Sequence, residues 1–244
     1  MPRLTHAPLP EWGQIAAAAR RATDSDDVLS RPWLRRNEVA FWFSRSAWSL
    51  QAIAQLRQRV TGKTTVTAWF PGYFCNESLA PLRDLGACIR FYPLLHDGTA
   101  DVEACRAMRD PDRPDLVVAV HYFGQPAPLA DLARFAGESG AWLIEDAAHV
   151  LRPTDGVGER GDFVLHSPHK LLPVPDGALL LIRDNGPGNV TAGVLASHDF
   201  HGVYESMVRR QRPSPGAASR WLVMRVLQKT GIRSRRASAL HFLD

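Results

Sequence analysis

Between residues 65 and 182, short β-rich, mostly apolar runs alternate with stretches in which apolar residues recur every three or four positions. The runs cover 65–70, 88–92, 116–122, 142–144, 163–166 and 178–182. Runs of this length and texture predict strands buried on both faces. The intervening stretches 46–60, 76–85, 102–108 and 129–138 have helical spacing. In the first of these Leu50, Ile53, Ala54 and Leu56 form an apolar stripe, Ser46 stands where an N-cap belongs, and Gly62 follows where the helix should stop. Gly86 marks the end of the second stretch in the same way. This alternation predicts an α/β domain with a mostly parallel sheet flanked by helices. The last two runs are joined only by the loop 167–177, which holds three prolines. With no crossover helix they should pair antiparallel, so the sheet is expected to be mixed. Residues 217–232 read as a further helix, 212–216 as a linker and 184–189 as a turn.

Composition adds limits. The 244 residues are 45% hydrophobic and 22% charged, enough for a sizeable core. No apolar run nears the ~20 residues of a membrane span, and residues 1–12 lack the hydrophobic stretch of a secretory signal. Cys75, Cys88 and Cys105 make no disulfide framework and suit a reducing compartment, so a cytoplasmic location is expected. The formal charge is +4, but nine basic residues fall between Met207 and Leu243, where no acid occurs. Elsewhere acids outnumber bases. The basic pI of 9.2 therefore belongs to the tail and is no argument for nucleic-acid binding.

In an open α/β sheet, ligands gather at the carboxyl ends of the strands. Two polar clusters fall there: Glu145-Asp146-Ala147-Ala148-His149 after the run 142–144, and Ser167-Pro168-His169-Lys170 after the run 163–166. Ser44-Arg45-Ser46 enters the helix at 46–60, where free N–H groups and the helix dipole suit a phosphate. Each cluster also has a plainer explanation: a helix cap, a turn cap and a solvated loop. His121, His149, His166 and His169 can each be ordinary hydrogen-bonded histidines. The spacing of Asp146, His149, His166 and His169 would also allow a zinc site.

The order of these segments resembles the DegT/DnrJ/EryC1/StrS family of pyridoxal-phosphate-dependent sugar aminotransferases, from about Phe43 to Arg183. Ser44-Arg45-Ser46-Ala47 looks like the family's phosphate turn, and Trp69-Phe70-Pro71-Gly72-Tyr73 like its strand ending in Pro and an aromatic. Val120-His121-Tyr122-Phe123-Gly124-Gln125-Pro126 matches its His-x-x-Gly-x-Pro segment, and Glu145-Asp146-Ala147-Ala148-His149 its Glu-Asp-Ala-Ala-His motif. Gly161-Asp162-Phe163 precedes the lysine strand, and Gly177 follows Lys170 by seven residues.

The resemblance implies the large domain of a fold-type-I enzyme with a short helical C-terminal tail. It implies Lys170 as the Schiff-base lysine and Asp146 as partner of the cofactor's ring nitrogen. His149 would touch the ring's phenolic oxygen or the Asp146 carboxylate. Ser167, Arg45 and Ser46 would hold the phosphate, and Tyr73 or Phe74 would lie over the ring. It further implies a homodimer moving an amino group from an amino acid, glutamate, to a keto sugar nucleotide. The expected organisation is an N-terminal helical segment at 1–40, a cofactor-binding domain at 41–190, and a linker and basic tail at 191–244.

The family resembled is longer, so most of its C-terminal small domain is expected to be lacking here; its aromatic-Asn-aromatic-Arg stretch is not found in 192–219, and the lysine loop is richer in proline than usual. Two alternatives therefore remain: a lyase or dehydratase of the same fold, and a catalytically impaired protein with a structural or partner-binding role.

Overall fold

The computed structural model describes residues 9–19, 25–111, 113–184, 186–187, 200–208 and 216–232. Its centre is a seven-stranded sheet: β1 (Val39–Phe43), β2 (Thr67–Pro71), β3 (Cys88–Tyr92), β4 (Leu116–Val120), β5 (Trp142–Ala147), β6 (Phe163–His166) and β7 (Ala178–Ile182). They lie in the order β1-β7-β6-β5-β4-β2-β3. All neighbours run parallel except β7, which is antiparallel to both β1 and β6. The mixed α/β sheet expected from the hydrophobic pattern is present, with the reversal where the chain lacks a crossover helix.

The helices are α1 (Trp12–Ala19), α2 (Asp26–Ser30), α3 (Ser46–Thr61), α4 (Ala80–Asp84), α5 (Val102–Met108), α6 (Ala130–Ser139), α7 (Phe200–Val208) and α8 (Ala217–Lys229). On one face of the sheet Leu50, Ile53 and Leu56 of α3 pack with Phe70, Val118, Ile144, Phe163, Leu165 and Leu180, joined by Phe200 and Val203 of α7. On the other, Leu132 and Phe135 of α6 and Cys105 of α5 cover Trp69, Val117 and Leu143. Burying both faces explains why most of the strands read as continuous apolar runs rather than alternating ones. Gly62 closes α3 at φ 69, a conformation that glycine adopts without steric cost.

Four local expectations change. β5 continues through Glu145, Asp146 and Ala147, which pair with Val164, Leu165 and His166 of β6. Backbone pairing on both sides carries the strand past the end of its apolar run, so the acidic pair sits within the strand. β1 fell outside the expected strands, and it brings Val39 and Ala40 into the sheet beside β7. Ser46 is not the cap of α3: Arg45 occupies that position in extended conformation, and no side chain caps the end. The stretch 76–85 forms a single 3-10 turn, Asn76–Leu79, followed by the short α4. The linker at 212–216 and most of the basic tail fall outside the described residues, as does much of the turn at 184–189. No described helix is long and apolar enough to cross a membrane.

Candidate active site

The register of β4, β5 and β6 sets Val120, Asp146 and Leu165 side by side at the carboxyl end of the sheet. Asp146 is 8% exposed. Its Oδ1 accepts one hydrogen bond, from the Ala148 N–H at 2.9 Å. Burial pushes this carboxyl above the usual range, while Lys170, the Ala148 N–H, His149 and His121 pull it back. A buried carboxylate with a single N–H partner has unused acceptor capacity.

Lys170 ends the 3-10 turn Pro168–Lys170 directly after β6, and its side chain is exposed. Its charge acts on both Asp146 and His149, so the three groups share one electrostatic neighbourhood. His149 Nδ1 accepts the Phe123 N–H at 3.3 Å. Burial, and then Lys170, lower its pKa, with Asp146 opposing. Tyr73 follows β2 and meets Tyr122 with ring centroids 4.9 Å apart. Burial first, then Tyr122 and Asp146, raise the Tyr73 pKa, which draws its hydroxyl into the same neighbourhood. Tyr122 in turn contacts His149 at 5.9 Å.

Ser167 lies between β6 and the lysine turn, fully buried, and its Oγ has no hydrogen-bond partner among the described residues. Such a hydroxyl is costly to bury and marks a place where a further acceptor or donor fits. The N-terminus of α3 is tied to the lysine loop: the Gly177 N–H donates to the Ser44 carbonyl at 3.1 Å. Arg45 acts on His169 and is acted on by Asp176, although burial is the largest influence on its guanidinium and lowers its pKa. Arg45 and Ser46 therefore border the loop that carries Ser167 and Lys170.

Phe74 does not join this group. The turn after β2 sends its ring back onto Phe70, 4.6 Å away, as part of the core. Sequence reasoning had passed over Tyr122, which reaches both Tyr73 and His149; its place within the His-x-x-Gly-x-Pro segment was the available signal. The plain reading of two histidines holds. His166 Nδ1 donates to the Val150 carbonyl at 3.1 Å and His169 Nδ1 to the Gly177 carbonyl at 2.8 Å. Burial pushes both down to about 4. Among the described residues no three His, Cys, Asp or Glu side chains are grouped to hold a metal ion, so the zinc alternative finds no support.

Comparison with known proteins follows this geometry. Residues 96–208 match the model of the DegT/DnrJ/EryC1/StrS aminotransferase family. That span holds His121, Asp146, His149, Ser167 and Lys170, whereas Arg45, Ser46 and Tyr73 precede it. The serine hydroxymethyltransferase of Methanosphaera stadtmanae is 34% identical over 143 residues, which cover 53% of this chain and 34% of that protein. The chain thus spans about a third of the length of this curated relative. A DesI structure solved with its TDP-sugar product superposes with a TM-score of 0.61 at 19% identity, covering 93% of this chain and 61% of that one. A sugar aminotransferase from Streptococcus pneumoniae in its PLP form gives 0.63 at 12% identity, covering 84% and 57%. At these identities the structural matches establish the fold alone, a mixed α/β sheet flanked by helices.

Proposed function

We propose that this chain, whose residues 96–208 match the DegT/DnrJ/EryC1/StrS aminotransferase family, is the cofactor-binding part of a pyridoxal-phosphate-dependent aminotransferase. The domain is taken as 41–190, the amino donor as glutamate, the acceptor as a keto sugar nucleotide and the assembly as a cytoplasmic homodimer. The observation that carries the reading is the convergence of Asp146, His149, Tyr73 and Lys170 at one end of the sheet, beside the buried Ser167 Oγ, which has no partner among the described residues.

The residues present suit this cofactor. An anion at Asp146 would pair with a protonated ring nitrogen, a charge that also offsets the cost of burying the carboxylate. Ser167 Oγ, the guanidinium of Arg45 and the uncapped N–H groups at Ser46 would take the phosphate. Tyr73, which neighbours Asp146, is the aromatic side chain for the ring face. Pyridoxal phosphate, when bound, supplies an electron sink for the substrate carbon and a carrier for the amino group. Lys170 Nζ would anchor it and, once released, hold and return the proton that moves during amine transfer. The loops around Tyr122 and His149 would screen that proton from water.

Incubating the protein with cofactor, glutamate and a keto sugar nucleotide tests the reading. Release of 2-oxoglutarate with formation of the amino sugar is expected. Elimination of water without amine transfer would overturn it. The identity to serine hydroxymethyltransferases favours one second reading, hydroxymethyl transfer from serine. Glycine formed from serine, with no amino sugar from glutamate, would establish that one instead.

A further inference from the structure

Glu145 precedes Asp146 on β5 and so lies on the opposite face of the sheet, fully buried. Its carboxylate accepts the N–H groups of Gly158 at 2.5 Å, Arg160 at 2.7 Å and Gly161 at 2.5 Å, and Nε2 of His121 lies at 2.7 Å. Four donors use both oxygens fully. Gly161 permits this close approach: a Cβ there would stand 2.9 Å from the Phe163 carbonyl oxygen and 3.0 Å from the Glu145 Cγ.

His121 extends the arrangement to the loop after β4. Its Nδ1 accepts the Ala127 N–H at 3.0 Å. A backbone N–H can only donate, so the ring hydrogen sits on Nε2 and points to Glu145. The His121 N–H donates to the Asp146 carbonyl at 3.0 Å. The segment 121–127 is thus pinned at both ends. Within it Phe123 has φ 53, in the left-handed region that non-glycine residues seldom occupy. Gly124 has φ 78, and a Cβ on it would lie 2.9 Å from the His149 carbonyl oxygen. This backbone aims the Phe123 N–H at His149 Nδ1 and sets the Phe123 ring 15° from the imidazole plane.

The donor rule then applies to His149 as it did to His121. Nδ1 accepts, so the hydrogen sits on Nε2. The charged and titratable groups around this imidazole are Asp146 near the end of β5, Lys170 after β6 and Tyr122 after β4.

We propose that Glu145 and His121 are positioning residues: through segment 121–127 they hold His149 in the form that donates from Nε2. The identity of the acceptor, the cofactor's phenolic oxygen or the Asp146 carboxylate, rests on the function proposed above. The tautomer does not. The test uses the cofactor-free protein with 15N-labelled histidine and long-range proton–nitrogen correlation spectra, with His149→Gln identifying the signal. His149 should show the Nε2–H pattern. His121→Phe, checked for an unchanged fold by its amide spectrum, should convert it to a mixture of both tautomers. Should that variant not fold, Gly124→Ala displaces the same segment from the rim and should have the same effect. An Nδ1–H pattern in the unaltered protein, or an unchanged Nε2–H pattern in a folded variant, would overturn the proposal. Because no cofactor is present, the result stands apart from any assay of amine transfer.

Discussion

The two ends of the sheet treat their buried aspartates differently. At the amino end Asp115, 2% exposed, receives Lys63 Nζ at 2.6 Å and the Thr67 N–H at 3.0 Å, with Arg57 at 3.6 Å. Beside it Asp162 accepts the Leu143 N–H at 2.8 Å. At the carboxyl end Asp146 has one N–H, Ser167 Oγ has no partner among the described residues and Lys170 faces solvent. The first end spends its polar groups on holding strands together. The second holds polar groups in reserve, as a site awaiting a ligand should.

Substitutions should separate the two ends, and Asp115→Ala should have the largest effect. It strands Lys63, Arg57 and the Thr67 N–H, so denaturant unfolding should register a loss of about 3–5 kcal/mol. A loss under about 1 kcal/mol would dissolve the contrast.

Next comes the acid sensitivity of His166, whose folded value of about 4 lies below the ordinary 6.5. Between those values the unfolded chain binds the extra proton. Stability is therefore full above about 6.5 and is lost as pH falls toward 4, by about 3 kcal/mol from this ring. Unfolding measured across that window should flatten in His166→Gln, leaving the share of His169. An unchanged slope would show that the ring is not kept uncharged by burial.

Asp146→Asn should be the mirror image of Asp115→Ala. Stability should move by less than about 1 kcal/mol, while pyridoxal phosphate affinity falls roughly 10- to 100-fold, the worth of a charged hydrogen bond. Equilibrium titration reads both quantities from one sample. The smallest effect belongs to Ser167→Ala, which removes a hydroxyl with no partner among the described residues. The cofactor-free fold should be unaffected within about 0.5 kcal/mol, and phosphate affinity should drop about fivefold.

Much of this was legible in the hydrophobic pattern. Most of the strands from β2 to β7 announce themselves as apolar runs because both faces are buried, the exception being the edge strand β3, where Arg90 and Phe91 are exposed, and the missing crossover helix before β7 announces its reversal. The candidate site residues were named through the family resemblance, and their strand-end positions agree with where ligands gather in an open α/β sheet. What escaped depended on contacts between distant segments. The extension of β5 through Glu145 and Asp146 needs the pairing of β4 and β6 around it. The rotation of Phe74 into the core depends on Phe70 beneath it, and Tyr122 joins the group through Tyr73, from the turn after β2, and His149, after β5. The bond from His121 to Glu145 spans two strands that no local spacing relates.

The central claim is that Lys170 and Asp146 serve one bound ring. Its most direct test is an absorbance titration with pyridoxal phosphate, comparing the unaltered protein with Lys170→Ala. A visible band from lysine-linked cofactor should develop in the unaltered protein and be missing in the variant, whose exposed alanine should leave stability unchanged within about 0.5 kcal/mol. The same band at equal strength in both proteins would contradict the account.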